Sequence, residues 1–216
     1  MGGIESESRS KMKIIKTDKN LKDHLKAART ILEGGGIVLY PTDTLYGLGV
    51  NAFNEEAVKR LYRLKRRPLN KPISICLHDT KWIRKVAHIN PKIERLITKL
   101  LPGPFTIILK KKNTVPQILT GGTEKIGIRI PDNIISRELS KEFPITSTSA
   151  NISGMKTHNN IRDIIQQIGE VDLAIDAGPL KGGASTVIDL TTDPPKILRK
   201  GADIEKIKKI IEGVRA

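Results

Sequence analysis

Late in the chain three short apolar-rich runs follow one another with only turn-length segments between them: "LAIDAG" (173–178), "STVIDL" (185–190) and "KILRK" (196–200). Earlier runs of the same kind are separated by amphipathic helices. Strands that alternate with helices suit a parallel sheet, and strands joined by turns suit antiparallel neighbours. A chain that carries both patterns is expected to form a mixed α/β (α+β) fold. The expected architecture is a single twisted sheet, part parallel and part antiparallel, flanked by helices.

The helical periods are legible. Leu21, Leu25, Ala28, Ile31 and Leu32 share a face after a cap at Asp18 or Asn20, and "GGG" (34–36) ends that helix. Asn54 is expected to cap a second helix carrying Ala57, Val58, Leu61 and Leu64, closed by Pro68. Further helices are expected over 91–101, 133–142, 160–169 (capped by Asn159 or Asn160) and from Asp203 onward. Strands are expected at 37–40, 72–78, 105–110, 125–130 and 143–147, besides the three late runs. Residues 1–12 read as a disordered tail and 13–216 as one domain, a size that supports a single core.

Composition narrows the function. The net charge is +15, which favours an anionic partner such as a nucleotide or nucleic acid. Aromatic residues are only 3% of the chain, which argues against base stacking as the main binding mode. No apolar run approaches the roughly 18 residues of a membrane span, so no membrane is expected. The one cysteine, Cys76, allows no intrachain disulfide and suits a reducing cytoplasm. The four histidines show no metal spacing, and the metal ligands stay unassigned.

Three clusters stand out. "KRRP" (65–68) holds Lys65, Arg66 and Arg67 at a helix end. Cations there complement the helix dipole by ~0.3–1 kcal/mol, but Lys65 and Arg67 at i and i+2 could also clamp one polyphosphate. "STSAN" (147–151) places Ser147, Ser149 and Asn151 after a strand, either as donors to an anion or as an ordinary hydroxyl turn. Arg129 in "KIGIRIP" sits within an apolar strand with no local acid on its face, since Asp132 lies beyond Pro131. It is expected to need a carboxylate ligand. "GLGVNA" (47–52) matches a dinucleotide-binding spacing, but no strand runs directly into it and no helix opens within it.

The motifs "YPTDTLYGLG", "KRRPLNKPISI", "LPGPFTIIL", "GIRIPD", "TSANISG", "STVIDLT" and "ILRKG" occur in this order from about residue 25 to 201. Together they resemble the YrdC family of threonylcarbamoyl-AMP synthases. The resemblance implies a single-domain fold with a concave basic face. It implies a reaction of ATP (with Mg²⁺), L-threonine and bicarbonate, giving threonylcarbamoyl-AMP and pyrophosphate. That product would pass to a downstream threonylcarbamoyl transferase complex acting on tRNA. The resemblance also implies residue roles. Lys65, Arg67, Ser149 and Asn151 would form the catalytic, phosphate-facing group. Thr44, Cys76, Arg129, Ser147 and Ser185 would hold threonine. Lys71, Lys125, Thr157 and Arg199 would join Arg67 and Ser149 at the nucleotide. Positions 71, 76 and 125 depart from the family pattern. Two other readings fit the charge: a tRNA or double-stranded RNA module without chemistry, and a carbamoyl-transfer domain like those of hydrogenase-maturation proteins.

Overall fold

A computed structural model of the chain describes residues 12–17 and 20–215. The expected tail falls almost wholly outside that range, as does the alternative cap Asp18. Asn20 stands at the N-terminus of α1 (Leu21–Glu33). The second helix, α2 (Glu55–Leu64), starts where the sequence places it, because the Asn54 side chain accepts the N–H of Ala57. Its end differs. Arg66 adopts a left-handed conformation (φ 48°), and the N–H of Arg67 reaches back to the carbonyl of Tyr62 at 2.9 Å. The helix therefore stops at its own C-terminal cap, and Pro68 lies beyond it.

Ten strands form one sheet. In chain order they are β1 (Lys13–Lys16), β2 (Val38–Tyr40), β3 (Gly47–Gly49), β4 (Ser74–Cys76) and β5 (Phe105–Lys110), then β6 (Lys125–Arg129), β7 (Ile145–Ser149), β8 (Leu173–Asp176), β9 (Thr186–Asp189) and β10 (Lys196–Arg199). Across the sheet the order is β1-β8-β2-β3-β7-β4-β6-β5-β9-β10. Four pairings are parallel (β1·β8, β2·β8, β4·β6, β5·β9), and the other five are antiparallel. The mixed sheet expected from the sequence is thus present. β3 is "GLG", the stretch with the dinucleotide-like spacing. Its glycines lie under the ring of Tyr40, and a Cβ on Gly49 would come within 2.9 Å of that ring.

The period of two divides the sheet into faces. On one face Leu39, Ile75, Phe105, Ile107, Ile126, Ile128 and Ile188 enter the larger core. Helices α2, α4 (Pro91–Leu100), α5 (Gln117–Thr120), α7 (Ile161–Ile168) and α8 (Ile204–Arg215) contribute to it. On the other face Val38, Tyr40, Cys76, Ile145 and Leu173 meet α1 and α6 (Ile134–Leu139) in a smaller core. α1 and α6 cover part of that face, α6 reaching as far as Cys76 of β4. Over β5, β6, β7 and β9 the same face is open, and a cleft lies there. A short turn and helix at 80–86 (the helix Ile83–Val86 is α3) complete the elements. No helix among the described residues is long and apolar enough to cross a membrane.

Candidate functional site

The cleft has a volume of about 710 Å³, within the range that holds small-molecule ligands. Its floor follows from strand alternation. Thr106 and Ile108 of β5, Lys125, Gly127 and Arg129 of β6, and Val187 and Asp189 of β9 face it, while their neighbours face the core. Arg67, Lys125, Arg129 and Arg199 line it, against one carboxylate, Asp189. Burial alone would raise the Asp189 carboxyl, but Lys125 (2.8 Å) and Thr191 outweigh burial and hold it below the usual range. Lys125 is therefore committed to an acid across the sheet.

The structure separates Lys65 from Arg67. Arg67 is half-buried at the cleft wall, with Nε on the carbonyl of Lys71 (3.1 Å) and Nη2 on that of Pro72 (2.8 Å). Lys65 is 1% exposed and does not line the cleft. Its Nζ donates to the carbonyl of Ser149, to the carbonyl of Asn151 (2.7 Å) and to Oδ1 of Asn151 (3.5 Å). An ammonium has three N–H donors, and all three are used. Burial and then the nearby Arg67 charge push its pKa down to about 7. The side chain expected at an exposed helix end is an internal tie between α2 and the end of β7.

The hydroxyls do not follow a strand, as expected, but belong to it. Ser147 and Ser149 are in β7, where Ser147 pairs with Ser74 and Ser149 with Gly47. Both line the cleft. Asn151 lies just beyond and is 7% exposed. Its Oδ1 accepts from Ser149 Oγ (2.7 Å), and its Nδ2 donates to the carbonyls of Ile152 and Met155. Asn151 thus orients Ser149 and the turn and does not line the cleft.

Arg129 differs most from expectation. Its Nη2 donates to Asp43 Oδ1 (2.8 Å) and to Thr44 Oγ1 (2.9 Å). The sequence shows no acid beside Arg129 because its partner lies 86 positions away. Thr44, 2% exposed, lines the cleft beside it. Elsewhere in the lining Ser185 Oγ is 2.8 Å from Thr106 Oγ1 and accepts from Arg199 Nη2 at 2.8 Å. Arg199 also donates through Nε and Nη2 to the Ser185 carbonyl. Thr157 is part of the lining. Gly182 passes so close to Thr44 that a Cβ there would strike the Thr44 backbone.

Two further positions fall elsewhere. Cys76 is fully buried in the smaller core, its thiol facing the Ser136 carbonyl and Ser140 Oγ, and burial pushes its pKa up to about 12. Ser74, two residues before it, is the β4 side chain that lines the cleft. Lys71 is exposed, and its carbonyl serves Arg67 and Tyr62. Asp43, Ser74, Thr106 and Asp189 were not singled out from the sequence. Only alternation along "FTIILK" and "STVIDL" could have pointed to Thr106 and Asp189.

A mixed sheet flanked by helices, with an open face lined by arginines, a lysine and hydroxyls, makes this an α/β protein with a polar cleft. The profile of the Sua5/YciO/YrdC family, described as telomere recombination, matches residues 30–201. The chain belongs to this family. It is 44% identical over 197 residues to a Methanocaldococcus jannaschii protein provisionally named threonylcarbamoyl-AMP synthase, covering 88% of this chain and 94% of that one. It is 36% identical over 197 residues to the Pyrococcus abyssi threonylcarbamoyl-AMP synthase, covering 88% of this chain and 58% of that protein. The crystal structure of P. abyssi Sua5 complexed with L-threonine matches with a TM-score of 0.85 at 36% identity, covering 94% of this chain and 61% of that chain. The chain thus spans less than two thirds of the Pyrococcus protein's length.

Proposed function

We propose that the chain is an L-threonylcarbamoyladenylate synthase. Threonine and bicarbonate condense to a carbamate with loss of water. A carbamate oxygen then attacks the α-phosphorus of ATP and pyrophosphate leaves. The product would feed a transferase that modifies tRNA. The carrying observation is that nine of the thirteen positions chosen from the sequence line one cleft: Thr44, Arg67, Lys125, Arg129, Ser147, Ser149, Thr157, Ser185 and Arg199. The names of the relatives point the same way.

The carbamate is already an anion, so the reaction needs little help from a general base. It needs positioning and charge neutralisation. Among the described residues Arg67 and Arg199 have no carboxylate partner, and they are assigned to the phosphates together with Ser149. Arg129, Thr44, Ser147 and Ser185 are assigned to threonine. Mg²⁺ would arrive on the ATP phosphates as part of the substrate. Among the described residues no group of three His, Cys, Asp or Glu could hold a metal, and Asp189 is already engaged by Lys125 and Thr191. No step is therefore assigned to a protein-held ion.

The test is pyrophosphate release from ATP, threonine, bicarbonate and Mg²⁺, with each component omitted in turn. Release is expected only with all four present. Release that ignores threonine would overturn the reading in favour of an ATP hydrolase or a carbamoyl-transfer domain. No release, with salt-dependent tRNA binding, would favour the RNA module.

A further inference from the structure

The geometry points to Asp43 as the residue that positions Arg129. The two side chains form an ion pair at 2.8 Å with side-chain exposures of 10% for Asp43 and 11% for Arg129. The Asp43 carboxylate does not line the cleft, whereas Arg129 does. Asp43 therefore acts through the arginine. Its Oδ1 takes one Nη2 hydrogen, and Thr44 Oγ1 takes the other. Thr44 Oγ1 is itself 2.9 Å from Thr42 Oγ1, which donates to the Leu45 carbonyl. The second Asp43 oxygen accepts the N–H of Asp132 at 3.0 Å, tying the 42–45 loop to the chain that leaves β6.

This anchoring has a chemical consequence. A guanidinium held at two points on one nitrogen cannot rotate about its Cζ–Nε bond. Arg129 Nε is buried without a partner, and no hydrogen bond among the described residues engages Nη1. The symmetrical fork needs Nη1 and Nη2 together, and Nη2 is spent. Because Nε is buried, Nη1 is the one accessible oriented donor that Arg129 can then offer a carboxylate, and not the two-pronged grip that the sequence suggests. Asp43 also neutralises a buried cation that would otherwise be costly. It trades some attraction for anions against a fixed direction of approach.

This inference rests on the reading that the cleft takes threonine, so the experiment has one arm that needs no substrate. Arginine side-chain NMR on ¹⁵N-labelled protein, assigned with Arg129→Lys, reads rotation about Cζ–Nε. Slow rotation with separate Nη signals is expected in the wild type, and averaging of those signals in Asp43→Asn. Separate signals that persist in Asp43→Asn overturn the inference. Asp43→Glu, which keeps the charge, is expected to retain part of the splitting and covers the case in which Asp43→Asn does not fold. The second arm is calorimetry with threonine and with threoninamide, which lacks the carboxylate. Asp43→Asn is expected to lose roughly tenfold or more in threonine affinity with threoninamide unchanged. Adding Asp43→Asn to Arg129→Lys is expected to cost nothing further. Equal losses for both ligands would indicate a merely structural role and overturn the inference. If the wild type binds no threonine, the functional reading fails, and the NMR arm still decides the role of Asp43.

Discussion

Replacing Lys65 by methionine removes the ammonium and keeps most of the aliphatic stem. It leaves the carbonyls of Ser149 and Asn151 without their Nζ donor in a place where Lys65 is 1% exposed. A buried acceptor stripped of its donor costs ~1–3 kcal/mol, and two such carbonyls bring the loss to roughly 2–6 kcal/mol. Part of this is offset because a buried charge no longer has to be desolvated, which brings the net to about 2–4 kcal/mol. For a chain of this size each kcal/mol moves the melting temperature by ~2–4 °C, so Lys65→Met should melt roughly 4–16 °C below the wild type. The assay pairs thermal unfolding with pyrophosphate release per folded molecule. Activity should fall together with stability, because the tie that sets Ser149 at the cleft is gone. A variant that melts within ~2 °C of the wild type yet is inactive would refute the reasoning. It would place the Lys65 ammonium on substrate phosphate.

Arg67→Ala should behave in the opposite way. Its guanidinium lines the cleft and is half-buried, with its carbonyl partners on the nearby 71–72 turn, so turnover should drop roughly 10²–10³-fold while the melting point shifts by a few degrees at most, as unfolding and pyrophosphate assays would show. Lys65 also predicts a pH dependence. With its folded pKa near 7 and its ordinary value at 10.5, the unfolded chain binds a proton that the native protein lacks between those limits. Native stability from this group therefore rises with pH from about 7 to 10.5. The rise should be absent from denaturant titrations of Lys65→Met, and identical slopes for the two proteins would contradict it. Cys76 should resist alkylation in the native protein, since it is fully buried and its thiol is pushed up to about 12. Cys76→Ala should leave threonine affinity unchanged by calorimetry, and rapid labelling or a lost response to threonine would restore it to the site.

Elements whose signal is local were readable in the sequence. Asn54 and Asn160 cap α2 and α7 through their own side chains, and the apolar period of each helix follows at once. β5 and β6 were readable because one face of each enters the core and the other does not, so alternation survives in "FTIILK" and "KIGIRI". β3 was not readable. "GLG" lacks the branched residues that mark a strand, and it pairs because the Tyr40 ring needs the space above its glycines. β1 was missed as well, since its pairing partner β8 lies about 160 positions along the chain. The end of β7 was misplaced because "STS" has no apolar pattern. Only its neighbours β3 and β4 hold it as a strand.

By itself the sequence determined the mixed sheet, the family and the kinds of group that meet in the cleft, because these depend on residue type and local spacing. Tertiary structure alone decided which of those groups face the cleft. Lys65 and Arg67 are two positions apart, yet the left-handed turn at Arg66 sends one inward to the β7 carbonyls and the other to the cleft wall. Cys76 and Arg129 are neighbours across β4 and β6, yet one lies in the smaller core and the other at the cleft. Arg129 meets its carboxylate in Asp43 only because the sheet brings the loop after β2 beside the end of β6. Burial and ion pairing are properties of what surrounds a side chain, and for Lys65 and Arg129 those surroundings come from segments more than 80 residues away.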